Sequence, residues 1–220
     1  MPTVTEVKPS GEIALEMSLL QNIYTYRTLK FTLPISLNVT LAIEGLFDIQ
    51  TGMLHDKDTV KIFLRNTNSP YNIIDSSKSV LDSVSMTETF NFDKASSGTY
   101  YIIVKHRNNI ETWSKAGGET FIQGNIHNYN FTDSQSKAFG NNLVLKGSRY
   151  CIYSGDVNQD GTIDLSDMQL IENDVRRFQS GYVNSDLNGD DFVDINDFSI
   201  AERNTSKYIH PDFSLGISYE

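Results

Sequence analysis

Two stretches carry the residues most able to do chemistry. In "SGDVNQDGTIDLSDMQL" (154–170) acidic or amide side chains stand at Asp156, Asn158, Asp160, Asp164 and Asp167, and in "SDLNGDDFVDINDF" (185–198) the same spacing returns at Asp186, Asn188, Asp190, Asp194 and Asp197. A calcium ion takes about six to eight oxygen ligands, which a twelve-residue loop supplies from its first, third, fifth, seventh, ninth and twelfth positions. The first loop offers the side chains of Asp156, Asn158 and Asp160, the backbone carbonyl of Thr162, Asp164 directly or through water, and finally Asp167, with Gly161 making the sharp turn. In the second loop the roles fall on Asp186, Asn188, Asp190, the carbonyl of Phe192, Asp194 and Asp197, and Asp191 takes the left-handed turn. Nine carboxylates in two short loops, with no interleaved Lys or Arg, repel one another unless a cation sits among them. Two bound Ca2+ ions are therefore expected. Ile163 and Val193, at the eighth position of each loop, are expected to pair as a short antiparallel bridge facing a shared core.

The elements around the loops follow from hydrophobic period. Apolar residues recur at spacings of three and four after Asp164, at Leu165, Met168, Ile171, Val175 and Phe178, which predicts a helix of about three turns with that stripe inward and Gly181 ending it. A second, shorter helix follows the second loop with Ile195, Phe198 and Ala201 inward. From about Ser36 to Tyr153 short apolar runs alternate with turns, and Leu37, Val39, Leu41 and Ile43, like Val60, Ile62 and Leu64, fall on one face. The fold class is mainly β: an antiparallel β-sandwich followed by a small α-helical pair of EF-hand-type loops. The organisation expected is an N-terminal extension (1–30), the sandwich (31–153), the calcium module (154–210) and a tail (211–220). The stretch "GEIALEMSLLQN" reads as a strand before the sandwich, either its first edge strand or one inserted into a neighbouring molecule.

Composition narrows the function classes. The chain of 220 residues has a net charge of −10, and the whole excess is C-terminal: residues 1–150 hold fourteen acidic and fourteen basic residues, residues 151–220 fourteen and four. That sign excludes a phosphate backbone as partner, so no nucleic acid is expected. No apolar run is long enough for a membrane span, and residues 1–20 show no export signal. The single cysteine, Cys151, lies in the apolar run "RYCIY" and is read as core. His55, His106, His127 and His210 lie far apart with no catalytic motif, so no enzyme is expected. Trp113, in "KHRNNIETW", is read as buried rather than as a platform for sugar rings. Asn38, Asn130 and Asn204 head N-x-Ser/Thr triplets, and "DTV" and "DSV" offer Thr59 and Ser83 as O-glycosylation acceptors of a bacterial type. Loops with the affinity of extracellular calcium modules fill only outside the cytosol, so secretion or a cell-surface location is expected.

The residues "GDVNQDGTIDLSDMQLIENDVRRF" and "SDLNGDDFVDINDFSIAERN" together resemble a dockerin type I module, the calcium-loop pair that binds cohesin domains in secreted carbohydrate-degrading assemblies. Upstream, "SPYNIIDSSKSVLDS", "GTYYIIVKHRNNIETWS" and "AFGNNLVLKGSRYCIYSGDVNQDG" resemble a β-sandwich found immediately before such modules in large secreted bacterial proteins. Where dockerins that bind cohesin present hydroxyl residues, this chain has Leu165–Ser166 and Ile195–Asn196, and Leu165 and Ile195 are expected to face inward. The reading that follows is a non-enzymatic, calcium-stabilised structural subunit of an extracellular assembly, self-associating by N-terminal strand exchange. The alternative is a cohesin-docking or carbohydrate-binding appendage of a larger secreted protein.

Overall fold

The computed structural model describes residues 3–7, 13–18 and 33–205. The strands are β1 (Thr3–Val7), β2 (Ile13–Ser18), β3 (Ile35–Thr40), β4 (Phe47–Asp48), β5 (Met53–Leu54), β6 (Asp58–Asn66), β7 (Ile73–Leu81) and β8 (Thr87–Phe92). They continue with β9 (Gly98–Lys105), β10 (Thr112–Trp113), β11 (Glu119–Phe121), β12 (Ile126–Asn130), β13 (Val144–Lys146) and β14 (Arg149–Cys151). Two helices follow, α1 (Leu165–Arg176) and α2 (Ile195–Thr205). The chain divides into two compact units, Met1–Thr32 and Leu33–Glu220.

In the first unit β1 and β2 pair antiparallel, from Thr3 opposite Ser18 to Val7 opposite Ile13. The N-terminal strand thus finds a partner within its own unit, in Thr3–Val7. Strand exchange between molecules falls on no further described residue.

In the second unit the expected mainly β architecture is present. One sheet runs β10–β9–β6–β7, with β11 also on β9, and the other runs β12–β3–β8. Alternation makes them a sandwich: Leu37 and Val39 of β3 and Phe90 and Phe92 of β8 meet Val60, Ile62 and Leu64 of β6 and Ile102 and Val104 of β9 in one core. Each such side chain removed from water contributes about 1.5–3 kcal/mol. The sandwich is not purely antiparallel, because β12 lies parallel to β3. Strand β9 is buried along both faces: Tyr101 and Ile103, pointing away from the core, are covered by Trp113, Tyr71 and Phe139. Cys151 lies in the core as expected, and burial pushes its thiol up to about 12. Among the described residues no helix is long and apolar enough to cross a membrane.

The two helices share a separate small core of Val157, Ile171, Leu187, Val193, Ile200 and Ala201. The stripe expected to face it is corrected at its ends. Leu165 is 70% exposed, Ile195 66% and Phe178 90%, so these three point to solvent. Helix α1 also stops before Gly181: Phe178 adopts φ 52° and its N–H donates to Val175 O, while Gln179 N–H donates to Asp174 O. A left-handed residue after the last turn is a position that suits glycine, and a Cβ there costs about 1–2 kcal/mol. Phe178→Gly is therefore expected to raise the melting temperature by about 2–8 °C, read by calorimetry. An unchanged or lower value would show that the exposed ring stabilises the free protein.

Candidate metal centre

Each acidic loop is closed by its own last aspartate. Asp167, fully buried, accepts N–H bonds from Val157 (2.7 Å) and Asn158 (3.0 Å) at one oxygen and from Asp164 (3.0 Å) at the other. Asp197, also fully buried, does the same for Leu187 (2.7 Å), Asn188 (3.1 Å) and Asp194 (2.9 Å). These bonds tie the start of each loop to the start of the helix behind it. Asp164 and Asp194 cap those helices by accepting from the N–H of Ser166 and Asn196, both at 2.7 Å. Within the loops Asn158 accepts from Asp160 N–H, Asp160 from Thr162, Asn188 from Asp190, and Asp190 from Phe192. Gly161 (φ 90°) and Asp191 (φ 68°) take the left-handed turns expected of them.

The first loop position differs between the copies. Asp186 is satisfied, one oxygen accepting from Gly189 N–H (2.8 Å) and the other from Asp191 N–H (3.3 Å). Asp156, 2% exposed, accepts from Gly161 N–H (3.2 Å) at one oxygen, and its Oδ1 is buried with no partner among the described residues. Burial, then the charges of Asp167 and Asp160, push its carboxyl up to about 7. Burial likewise raises Asp167, Asp186 and Asp197. Hard oxygen donors around an unpartnered buried carboxylate fit a calcium ion in donor type and in charge. Among the described residues no three His, Cys, Asp or Glu side chains already converge on one point; the carboxylates instead turn to backbone N–H groups.

The expected bridge between Ile163 and Val193 does not form among the described residues. Val193 N–H donates to Gln179 O, and Ser180 pairs with Phe192, so the second loop is zipped to the segment after α1. Ile163 packs against Ile110 and Tyr153 of the sandwich. Each loop has its own contact with the sandwich: Ile163 with Ile110 and Tyr153, and Gly189 of the second loop with the buried Leu46.

The seat for both loops is the turn after β9, polar residues whose role the sequence does not announce. Asn108 Nδ2 donates to Asp186 O (3.0 Å), Gly155 N–H donates to Asn108 O (2.7 Å), and Arg107 donates to Val183 O. Asn109 Nδ2 donates to Tyr153 O (2.9 Å) and Ser154 Oγ (3.0 Å). On the other side Glu44, 4% exposed, accepts from Asn204 Nδ2 (2.6 Å) and Ser154 N–H (3.2 Å); burial raises its carboxyl despite those bonds. Beside it, a Cβ on Gly45 would lie 1.9 Å from Leu187 O and 2.8 Å from its carbonyl carbon. Both obstacles are backbone, so Gly45→Ala is expected to lift the second loop off the sandwich at about 1–3 kcal/mol or more. A thermal melt checks this: a drop of about 2–12 °C supports the contact, and a wild-type melt contradicts it.

The remaining candidates are dispersed. Trp113 is 4% exposed, donates Nε1–H to Glu111 (2.8 Å) and packs edge-on against Tyr101, which leaves no tryptophan platform for a sugar. Asn38 lies in β3 and donates to Asn128, Asn130 donates to Asp133, and Asn204 is fully buried against Glu44 and Ser154 O. Thr59 and Ser83 are half-buried.

No family model and no curated protein matches the chain. Among solved structures it is similar to a chain of the C-terminal interface mutant of a type II Cohesin–X–Dockerin complex from Acetivibrio cellulolyticus, 17% identical over 78% of this chain and 95% of that one, with a TM-score of 0.48. The N-terminal interface mutant of that complex gives 16% identity, 80% and 96% coverage, and a TM-score of 0.39. The dockerin type I identification of 154–205 is corrected by these results. No family model carries it, and the solved structures similar to the chain come from a type II complex. Among the described residues, the mainly β sandwich with two short helices is what stands.

Proposed function

We propose that this chain is a non-enzymatic docking module of a secreted or cell-surface protein assembly, with two calcium ions holding its acidic loops on the sandwich. The observation that carries the calcium half is the partnerless Oδ1 of the buried Asp156. A buried carboxylate oxygen without a donor is costly, and a divalent cation in a loop of oxygen donors removes that cost. Asp156, Asn158, Asp160, Thr162 O, Asp164 and Asp167 would hold one ion, and Asp186, Asn188, Asp190, Phe192 O, Asp194 and Asp197 the other. The docking half is supported by Leu165 and Ile195, equivalent positions of the two loops that both face solvent. A protein partner of the class named for the neighbouring structures is the first to test.

Titration calorimetry is expected to count two calcium ions per chain, and Asp156→Ala or Asp186→Ala to remove one each. Absence of calcium heat, with the metal-free protein equally stable, would end the calcium half. Surface plasmon resonance against a type II cohesin and against a type II X-dockerin tests the docking half. Binding to one of them that Leu165→Ser with Ile195→Ser weakens supports it, and no binding to either contradicts it.

A further inference from the structure

The outward face of the sheet β7–β6–β9 carries an arrangement that folding alone does not favour. Lys61 stands directly opposite Lys78 on one neighbouring strand and directly opposite Lys105 on the other. Like charges facing across strands repel and destabilise the pairing. Lys105 is relieved by the buried Glu111 at 3.7 Å, and Lys61 lies 4.6 Å over the ring of Phe63. No acidic side chain pairs with Lys61 or Lys78 among the described residues, and both are exposed. The next cross-strand row adds Val80, 51% exposed opposite Thr59, so the face is basic with an apolar margin.

The opposite chemistry sits on the second loop. Phe178 (90% exposed) and Phe192 (65% exposed) belong to segments held side by side by Gly181 N–H to Asp191 O (2.8 Å) and Val193 N–H to Gln179 O (3.0 Å). Beside Phe192 stand Asp190, Asp191 and Asp194, while Arg176 and Arg177 precede Phe178; the second loop itself carries five carboxylates and no Lys or Arg, in the part of the chain that holds all of its excess negative charge. Large rings left in water on a strained or loop backbone mark a contact surface better than a folding element.

We propose that these two faces bind each other between copies: the lysine row of one chain receives the acidic, phenylalanine-bearing second loop of the next. The charge complementarity is carried by the chain itself, half on each face, and Lys61 and Lys78 meet no acidic side chain among the described residues. The contact is heterologous, so repetition gives an open chain of molecules unless it closes into a ring. Asp190 and Asp194 are also ligands in the calcium reading; an ion bound there would leave the five carboxylates of the second loop at −3, still negative, and two ions would take the whole chain only from −10 to −6.

The test is sedimentation velocity on the full chain with saturating calcium, from micromolar to near-millimolar protein. At low salt, where screening reaches about 30 Å, the mean mass should rise with concentration, and in molar salt, where it reaches about 3 Å, association should weaken at least about tenfold. Lys61→Glu with Lys78→Glu should be monomeric, as should Phe178→Ser, both with wild-type melts. Mixed in equal amounts, the two variants retain one intact face each and should form a 1:1 dimer and nothing larger. Wild-type protein monomeric throughout, variants that associate like wild type, or a mixture that stays monomeric would each overturn the proposal. So would a monomeric wild type that binds polyglutamate through the lysines, which would assign the row to a foreign acidic partner.

Discussion

Chelation of calcium by EGTA is expected to lower the melting temperature by about 5–11 °C for each site emptied, with both loops affected. A ligand at a hundred times its dissociation constant stabilises the native state by about 2.7 kcal/mol, and in a protein of this size each kcal/mol moves the melt by about 2–4 °C. The effect should be large because the core shared by α1 and α2 is small, and the loops meet the sandwich through hydrogen bonds at Asn108, Asn109 and Glu44 rather than through a broad apolar face. Asp156→Asn separates a metal effect from a merely structural one. It keeps a side-chain oxygen for the Gly161 N–H while removing a charge that burial and the charges of Asp167 and Asp160 disfavour. Without calcium this variant should melt at or above the wild type, and with calcium it should fall below it. A variant that melts lower than the wild type in EGTA would mean that the carboxylate is satisfied without metal.

The repeat of five acidic or amide positions was legible because each has a geometric duty. Asp167 and Asp197 close their loops on the same N–H groups, and Asp164 and Asp194 cap their helices alike. The alternating strands β3 and β6 were legible for the same reason, since period two maps onto one buried face. Strand β7 was not: "IIDSSKSVL" is polar on both faces because it is an edge strand, paired on one side with β6. The orientation of Leu165, Phe178 and Ile195 was misread because apolar type and helical spacing say where a residue falls on a helix, not whether anything covers that face. Arg107 to Asn109 could not be recognised as the seat of the loops, because their partners at Gly155, Val183 and Asp186 are remote in sequence and mostly backbone atoms. The polar cluster beside Trp113 was the one available signal, and it fits a docking turn as well as a sugar site.

Asp58→Ala is expected to be the most damaging single substitution outside the loops, at about 3–5 kcal/mol, or about 6–20 °C in melting temperature. Asp58, 5% exposed at the start of β6, gathers four groups. Its Oδ1 accepts from Tyr182 Oη–H and from Thr59 N–H, both at 2.6 Å, and its Oδ2 lies 2.9 Å from Arg107 Nε and from His106 Nε2. Arg107 in turn donates to Val183 O and lies 4.6 Å from the Tyr182 ring. One carboxylate thus fixes the turn that seats the loops and the segment joining α1 to the second loop. Removing it leaves the guanidinium without its counter-charge and the imidazole without its neighbouring carboxylate in a place water hardly reaches, which costs more than a surface ion pair is worth. Tyr182→Phe, which deletes one hydrogen bond to the same carboxylate, should cost only about 1.5–3 kcal/mol.

The acid limb of stability carries the signature of the same group. Burial works to raise the Asp58 carboxyl, but the hydrogen bond and charge of His106 and the bonds from Tyr182 and Arg107 outweigh it and hold the carboxyl well below the ordinary carboxylate range. With the folded value depressed, the unfolded chain takes up this proton first as pH falls. The stabilisation is therefore complete above the ordinary value of about 4 and drains away as pH drops below it toward the folded value. Urea unfolding at a series of pH values below about 4 should give a steeper decline for the wild type than for Asp58→Asn, by about one proton per molecule. Parallel acid limbs would show that the carboxylate titrates alike in the folded and unfolded chain, and that His106, Arg107 and Tyr182 are held in place by something other than its charge.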